Sequence, residues 1–298
     1  MRLLSFAGPG GARIGALAGP DQVVDLAAAL AALGGDPAVI PGDMCAFLAR
    51  GEAAMVQALR ALAFASRPEN SVLRRPLADV TLLAPVPRPG KILGVGRNYG
   101  DHAKEVGGPR QEIPRIFLKP ATSVAPPGAL VRIPPAVAKP DWEAELAVVI
   151  GRPARDVREA DALSYVAGYT LLDDVSAREF QFDISPPQTS FAKGMDGFCP
   201  MGPWLVTPDE AGEPWNWDLR CWLNDELVQH GNTRDLIFPV VTLITHLSRY
   251  MTLEPGDVIA TGTPAGSGAF RVPPRWLRPG DQLRMEIPQI GLLEHGIA

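Results

Sequence analysis

Three carboxylates in the middle of the chain have the types and spacing of ligands for a metal cation. Glu143 and Glu145 stand two residues apart within an apolar run, and Asp174 follows the next apolar run along the chain. Burying like charges side by side costs several kcal/mol unless a cation compensates them. The sequence therefore predicts a cation site, and an all-oxygen set of ligands suits Mg²⁺, Mn²⁺ or Ca²⁺ better than zinc.

The run that carries the two glutamates alternates in the manner of a β-strand. Successive side chains of a strand point to opposite faces, so residues two apart share a face. The face that begins with Glu143 and Glu145 continues with Ala147 and Val149, and the opposite face is wholly apolar. The pattern predicts a buried strand over 143–150 with two acids at its start.

A second group that can do chemistry is the pair His102 and Glu105. These residues stand three apart, so on a short helix their side chains face the same way. A carboxylate beside an imidazole orients the ring and favours its protonated form, which makes the pair a competent general base for activating water. The alternative is a solvated pair on an exposed helix. Gly107 and Gly108 after the pair would permit the segment to move as a lid.

Lys193 has two interpretations. By composition alone it is a surface lysine, but its neighbours Phe191, Met195 and Phe198 favour a segment drawn into the interior. A lysine held near a metal and an anionic substrate stabilises the negative charge that develops on an enolate. The interior position is therefore the one that would serve catalysis.

The segment Thr-Gly-Thr-Pro at 261–264 also has two interpretations. It is either a plain turn or a loop whose hydroxyl and backbone N–H groups hold a substrate carboxylate. Gly262 favours the second, because glycine allows the backbone to approach a ligand closely.

Composition and charge restrict the partners. The chain has 298 residues and a net charge of -5, which provides no field that attracts nucleic acid or an anionic membrane. No apolar run approaches the roughly 18–20 residues of a membrane span, so we expect a cytoplasmic protein. The three cysteines are too few and too scattered for a disulfide framework or a metal site, and we expect buried thiols.

The chain divides into two predicted domains. Residues 1 to about 70 have short apolar stretches and alanine-rich helical segments, and they form a small α+β amino-terminal domain. The proline-rich segment over 66–91 is an extended linker, and the boundary is expected near residue 85, so that 1–85 contain the small domain and linker. Residues 86–298 form a β-rich catalytic domain. Its predicted strands are 92–95, 115–118, 143–150, 167–172, 204–207, 219–223 and 258–261, and its predicted helices are 157–162 and 239–250. The fold class is therefore α+β and β-rich.

Five ordered motifs resemble the fumarylacetoacetate hydrolase family. They are Gly-Arg-Asn-Tyr-x-x-His-x-x-Glu from 96, Glu-x-Glu-Leu-Ala-Val-Val-Ile-Gly from 143, Asp-Val-Ser-Ala-Arg-x-x-Gln from 174, Lys-Gly-x-Asp from 193 and Thr-Gly-Thr-Pro from 261. The resemblance runs from about Lys91 to the carboxyl terminus. Five motifs in one order are far more specific than any one of them.

The resemblance implies a mixed β-roll or sandwich catalytic domain, a homodimer, and Mg²⁺ or Mn²⁺ chelated by a keto acid substrate. It assigns the metal ligands to Glu143, Glu145 and Asp174, and the catalytic groups to His102, Glu105 and Lys193. It assigns substrate binding to Arg178, Gln181 and Thr263, with a structural role as the alternative for Arg178, which stands at the family's arginine. One departure is Pro-Pro-Gln-Thr at 186–189, where many relatives have Gln-Trp. The loop over 266–274, which includes Ser267, Gly268 and Arg271, is also individual and could reach the substrate's far end.

The expected reaction is hydrolysis of a carbon–carbon bond in a small 1,3-diketo acid, of the acylpyruvate or fumarylacetoacetate type. In this scheme His102 with Glu105 activates water, and an enolate leaves next to Lys193. The alternative is an isomerase, a decarboxylase or an oxaloacetate-type activity that uses the same enolate without water attack. A third hypothesis, from another class, is a binding or scaffold protein without catalytic activity.

Overall fold

The computed structural model describes residues 1–107 and 111–298. Gly108, one of the two glycines of the predicted lid, lies outside these ranges. No helix within them is long and apolar enough to cross a membrane.

The secondary structure of the described residues is rich in short strands. The strands are β1 (Arg2–Gly8), β2 (Gly11–Leu17), β3 (Gln22–Asp25), β4 (Arg74–Pro76), β5 (Ile92–Gly96), β6 (Arg115–Lys119), β7 (Val124–Ala125), β8 (Leu130–Val131), β9 (Pro140–Asp141), β10 (Ala144–Ile150), β11 (Val166–Asp173), β12 (Ser176–Ala177), β13 (Cys199–Val206), β14 (Asp218–Leu223), β15 (Glu226–Asn232), β16 (Val258–Ala260), β17 (Gln282–Ile287) and β18 (Gly291–Ile297). The α-helices are α1 (Leu26–Ala32), α2 (Met44–Ala49), α3 (Gly51–Ala65), α4 (Gly100–Val106), α5 (Glu179–Phe182), α6 (Thr189–Lys193), α7 (Pro208–Ala211) and α8 (Val240–Tyr250). Short 3₁₀ helices cover Pro37–Val39, Pro68–Leu73, Leu77–Asp79, Ala121–Ser123, Glu159–Tyr165, Thr233–Asp235 and Gly268–Phe270.

One large mixed sheet contains both the amino-terminal strands and strands from the middle of the chain. Among the described residues its strand order is β4-β3-β2-β1-β13-β11-β10-β16-β5-β6, and β7 adds to β13. The amino-terminal strand β1 pairs antiparallel with β13, so the first strands extend the sheet that carries the two glutamates. The domain boundary near residue 85 stays a prediction, because the strands on either side of it share one sheet.

A second sheet covers the large one. Its order is β15-β14-β17-β18-β8, and a separate two-stranded ribbon pairs β12 with β9. The large sheet, the second sheet and the flanking helices confirm the expected α+β, β-rich fold.

The strand β10 separates two apolar cores. Leu146, Val148 and Ile150 pack in the core that includes the second sheet and α8. Ala147 and Val149 pack in the core that includes β1, α1 and α3. Every residue of β10 is buried, which explains the nearly continuous apolar run. The alternation predicted from the sequence therefore assigned the faces of this strand correctly.

The local predictions differ from the structure where a turn interrupts a pattern. All seven predicted strands are present, and the helix predicted over 239–250 is α8. The helix predicted over 157–162 is instead the 3₁₀ helix Glu159–Tyr165. The predicted linker contains 3₁₀ turns and β4. The alanine-rich segment from Met44 splits into two helices at Gly51, whose φ of 69° is a conformation that glycine adopts without strain.

We predict that truncating the middle of β10 destabilises the protein strongly. Leu146 is 0% exposed, and Leu146→Ala should lower the free energy of unfolding by about 2–5 kcal/mol, because it leaves a cavity in the core. Leu59→Ala in α3 is the matched control, since Leu59 is 45% exposed and its loss should cost under about 0.5 kcal/mol. Denaturant unfolding measures both; equal losses would contradict the placement of β10 at the centre of the fold.

Candidate metal and substrate site

The three predicted carboxylates come together at the start of β10. Residue Ala144 of β10 is paired with Asp173 of β11, and the Asp174 N–H donates to the Glu143 carbonyl at 2.9 Å. One carboxylate oxygen from each of Glu143, Glu145 and Asp174 lies within 4.8 Å of the others, and all three side chains are buried. Antiparallel pairing of two strands therefore builds the acidic cluster.

Lys193 lies inside this cluster and not on the surface. Its ammonium donates to Glu143 Oε2 at 2.7 Å, to Asp174 Oδ2 and to Ser176 Oγ. Burial lowers the pKa of Lys193, but Asp174 and Glu143 outweigh that effect and raise it above its ordinary value, so the ammonium stays charged. Of the neighbours expected to draw it inward, Phe198 is buried, whereas Phe191 is exposed.

Lys119 is a second buried lysine, which the sequence reasoning missed. It is fully buried at the end of β6, and its ammonium donates to Asp174 Oδ1 at 2.7 Å and to the Phe198 carbonyl at 2.9 Å. The available signal was the period of two in β6, because Lys119 shares a face with the buried Phe117. Asp174 thus has a lysine at each of its carboxylate oxygens.

Arg178 holds the cluster from the other side. Its Nε donates to Asp141 Oδ2 at 2.8 Å, its Nη1 donates to Gln181 Oε1 at 2.9 Å, and its Nη2 lies 2.6 Å from Glu143 Oε1. All three guanidinium nitrogens therefore have protein partners. Arg178 positions Glu143 and Gln181, and Asp141 is a further site residue that the motifs did not indicate.

The pKa values of Glu143 and Glu145 are shifted in opposite directions. Burial disfavours the charged form of Glu143, but Arg178 and Lys193 hold the pKa of its carboxyl well below the usual range. Burial and the neighbouring charges of Asp174 and Glu143 raise the pKa of Glu145 well above it. Among the described residues Glu145 has no ion-pair partner, and its Oε2 accepts a hydrogen bond from the Gly262 N–H at 2.8 Å. A divalent cation bound by the three carboxylates fits this arrangement, because it would compensate the one acid that the protein leaves unpaired.

The pair predicted on α4 is formed. His102 is 4% exposed, and its Nδ1 lies 3.0 Å from Glu105 Oε2. Glu105 Oε1 accepts from the Gly266 N–H at 3.1 Å, and the Phe270 ring meets the imidazole edge to face at 5.5 Å between centroids. The expectation of a solvated surface pair is therefore wrong, because the loop after β16 covers this helix. Nε2 is the imidazole nitrogen left for a substrate or water.

A cleft opens above the carboxylates and collects most of the predicted residues. Its volume is about 740 Å³ with the open mouth included. The predicted residues that line it are His102, Glu143, Glu145, Arg178, Gln181, Lys193 and Thr263. Glu105 and Asp174 do not line the cleft: Glu105 lies behind the imidazole and Asp174 is fully buried.

Thr263 reaches the cleft with its hydroxyl already engaged. The hydroxyl donates to the Ala144 carbonyl at 2.9 Å and accepts from Gln229 Nε2 at 2.8 Å. Gln229 Oε1 also accepts from the Ala144 N–H at 3.0 Å. These bonds fasten the Thr-Gly-Thr-Pro loop to the start of β10, so donation from this hydroxyl to a substrate carboxylate would require breaking a bond to the backbone.

A buried pair of side chains, Asp173 and His295, supports the acidic cluster from below. Asp173 Oδ1 accepts from the Glu143 N–H at 2.9 Å, and its Oδ2 lies 2.8 Å from His295 Nε2. Both side chains are fully buried. His295 therefore anchors the residue next to Asp174.

The two segments that depart from the family pattern both border the cleft. Pro187 and Thr189 line it. In the loop over 266–274 the cleft residue is Phe270, whereas Arg271 pairs with Glu226 at 2.6 Å and does not line the cleft. Phe270 is therefore the side chain that this loop brings to the cleft, and its contact with the far end of a substrate stays a prediction.

The chain is similar to several known proteins. The family model described as fumarylacetoacetate (FAA) hydrolase C-terminal matches residues 91–298. The chain is 45% identical over 258 residues, 87% of its length and 80% of the relative's, to the human mitochondrial oxaloacetate tautomerase FAHD2A. A putative HpcE protein from Mycobacterium smegmatis superimposes with a TM-score of 0.87 at 39% identity, over 100% of this chain and 99% of that one.

A further solved structure is that of a liganded enzyme. Maleylpyruvate hydrolase from Sphingobium sp. SYK-6, in complex with manganese(II) and pyruvate, is 34% identical and has a TM-score of 0.78 over 100% of this chain and 99% of that one. Sequence identity and coverage of this extent establish common descent. The chain belongs to the fumarylacetoacetate hydrolase family.

Proposed function

We propose that the protein tautomerises a small 2-oxo acid held by a divalent cation. The observation that carries the proposal is that the His102 imidazole, oriented by Glu105, lines the same cleft as Glu143 and Glu145. Moving a proton at the carbon beside a keto group requires a base that faces a centre of positive charge. The similarity to a relative named as an oxaloacetate tautomerase supports this choice of reaction.

The proposed roles follow from the contacts. Glu143, Glu145 and Asp174 would hold the cation, Mg²⁺ or Mn²⁺, which supplies Lewis acidity towards the keto oxygen when it is bound. His102 takes the proton through Nε2, and Glu105 stabilises the imidazolium that results. Return of that proton to the enolate oxygen completes the tautomerisation.

The charged Lys193 stabilises the negative charge while it is on the substrate. Its ammonium is held by Glu143, Asp174 and Ser176 and cannot swing away, so its charge is organised before the reaction begins. Gln181 and the loop of Thr263 are the proposed contacts to the carboxylate beside the keto group.

Hydrolysis of a carbon–carbon bond in a 1,3-diketo acid is the second candidate. It is favoured by the similarity to a maleylpyruvate hydrolase whose structure contains manganese(II) and pyruvate. In this reaction His102 and Glu105 activate a water molecule instead of taking a proton from carbon. Both candidate reactions need the same stabilisation of an enolate. They differ in whether His102 takes its proton from carbon or from water.

We predict that the protein with Mn²⁺ speeds the loss of the enol absorbance of oxaloacetate beyond the rate with Mn²⁺ alone. Mass spectrometry of the products separates the candidates, because tautomerisation conserves mass, whereas hydrolysis of an acylpyruvate adds water and yields two fragments. If the protein leaves the rate with Mn²⁺ and oxaloacetate unchanged but cleaves an acylpyruvate, hydrolysis is the function. Inertness towards both substrates would refute keto–enol chemistry.

We predict that Glu145→Gln and Asp174→Asn each weaken Mn²⁺ binding by at least about 100-fold, because loss of a direct ligand costs more than loss of an outer partner. Isothermal titration measures the affinity. Glu52→Gln is the matched control, since Glu52 is exposed in the first turn of α3 and should leave the affinity unchanged. Wild-type affinity in both site variants would remove the metal assignment.

We predict that His102→Gln lowers kcat by roughly 10²–10⁴-fold, as expected for a lost general base, while Mn²⁺ affinity stays within about threefold. Enol absorbance and titration report the two quantities separately. His230→Gln on β15 is the control, because that exposed histidine is absent from the cleft. Full turnover in His102→Gln would exclude His102 as the base.

A further inference from the structure

Two arginines that the mechanism does not use lie at the mouth of the cleft. Arg97 follows the end of β5 and Arg115 begins β6, and both line the cleft. The pairing of β5 with β6 sets Gly96 opposite Arg115, so the two arginines are neighbours across the strands. Burial and the charge of Arg115 lower the pKa of Arg97, as expected for like charges held close together.

Neither arginine forms an ion pair within residues 1–107 and 111–298, and residues 108–110 contain no acid. Arg97 Nη1 donates to the Gly107 carbonyl at 3.2 Å. In contrast, the guanidinium of Arg178 is bound at all three nitrogens. Two neighbouring cations without a carboxylate partner, facing a cleft, are suited to receive an anion from outside the chain.

The backbone holds Arg97 in this position. Its φ of 57° lies in the left-handed region, which is uncommon for a residue other than glycine. The next residue, Asn98, is fully buried, and its amide donates to the carbonyls of Phe238 and Thr261. The turn that aims Arg97 is therefore anchored to the core.

One face of β6 connects the mouth of the cleft with its floor. Arg115, Phe117 and Lys119 alternate onto this face, and Lys119 contacts the proposed metal ligand Asp174. Phe117 lines the cleft between them, with its ring centroid 5.0 Å from Lys193 Nζ. The four residue steps from Arg115 to Lys119 span about 13 Å. This face therefore forms a continuous wall from the proposed metal ligands to Arg115.

We infer that Arg97 and Arg115 bind a second carboxylate of the substrate, so that the site selects 2-oxo dicarboxylic acids over 2-oxo monocarboxylic acids. This inference rests on the proposed function, which places the 2-oxo acid end at Glu143, Glu145 and Asp174. Paired guanidinium groups bind a carboxylate through several charge-assisted hydrogen bonds. A site built for such bonds rejects an analogue that lacks the group.

The test compares oxaloacetate with 2-oxobutanoate, which has the same carbon chain without the second carboxylate. In Arg97→Gln and Arg115→Gln we expect the KM for oxaloacetate to rise at least about tenfold, with kcat within about threefold. The kcat/KM for proton exchange of 2-oxobutanoate should stay within about twofold of wild type. Arg97→Lys and Arg115→Lys should recover part of the affinity, and Arg50→Gln, an exposed arginine before α3, is the control.

The outcomes separate this inference from the proposed function. Titration of the Mn²⁺-loaded variants with oxalate, which carries only the chelating end, should match wild type and show that the metal site is intact. Unchanged oxaloacetate KM in both variants would overturn the arginine assignment while leaving the tautomerase proposal standing. A wild-type protein that turns over neither acid would refute the tautomerase. In that case, equal binding of the two acids to wild type and variants would overturn the arginine assignment as well.

Discussion

The structure depends on how a buried cluster of carboxylates is kept in an apolar interior. Glu143 and Glu145 lie at the start of β10, whose other residues are all apolar and buried, and Asp174 follows the end of the paired strand β11. Uncompensated charges in such a place cost more than the fold can spare, given a total stability of about 5–15 kcal/mol. Each surrounding element can be understood by the positive charge or the hydrogen bond that it brings to these three acids.

The positive side chains that compensate the three acids come from distant parts of the chain, and within the described residues they pair with only two of the three. Lys119 comes from β6, Lys193 from the end of α6, and Arg178 from the turn before α5. Together they neutralise Glu143 and Asp174, whereas Glu145 receives only a backbone N–H from Gly262. This inequality suits the acidic cluster to a divalent cation, because a fully paired cluster would gain little from binding a metal.

The polar residues of the cleft are of two kinds. Some are bonded to other protein groups and position them, and others keep an atom available for a substrate. Arg178 and the Thr263 hydroxyl are engaged by protein partners, so they set the positions of other residues. His102 keeps Nε2 available because Glu105 occupies Nδ1. The counting of hydrogen-bond partners thus separates residues that the motifs present as equivalent. It also singles out Arg97 and Arg115, whose charges have no partner among the described residues.

Much of the fold could be predicted because its signals are local. The period of two in 143–150 assigned both faces of β10, and the apolar spacing of 239–250 predicted α8. The helix predicted over 157–162 failed because a short apolar periodicity does not distinguish an α-helix from a 3₁₀ helix. The position of the first strands in the central sheet was also not predicted, because the pairing of β1 with β13 joins residues about two hundred positions apart in the sequence.

By itself the sequence determined the family, the fold class and the identity of the groups that meet in the cleft, because ordered motifs and strand periodicity are written in neighbouring residues. Only the tertiary structure decided which of those groups are free. Asp141 and His295 carry no local signal, and Lys119 carries only the period of two in β6. Their contacts with the site join residues that are 37, 122 and 55 positions apart, respectively. Ion pairs and hydrogen bonds depend on the distances between side chains in the folded protein, and the sequence pattern does not give those distances for residues far apart in the chain.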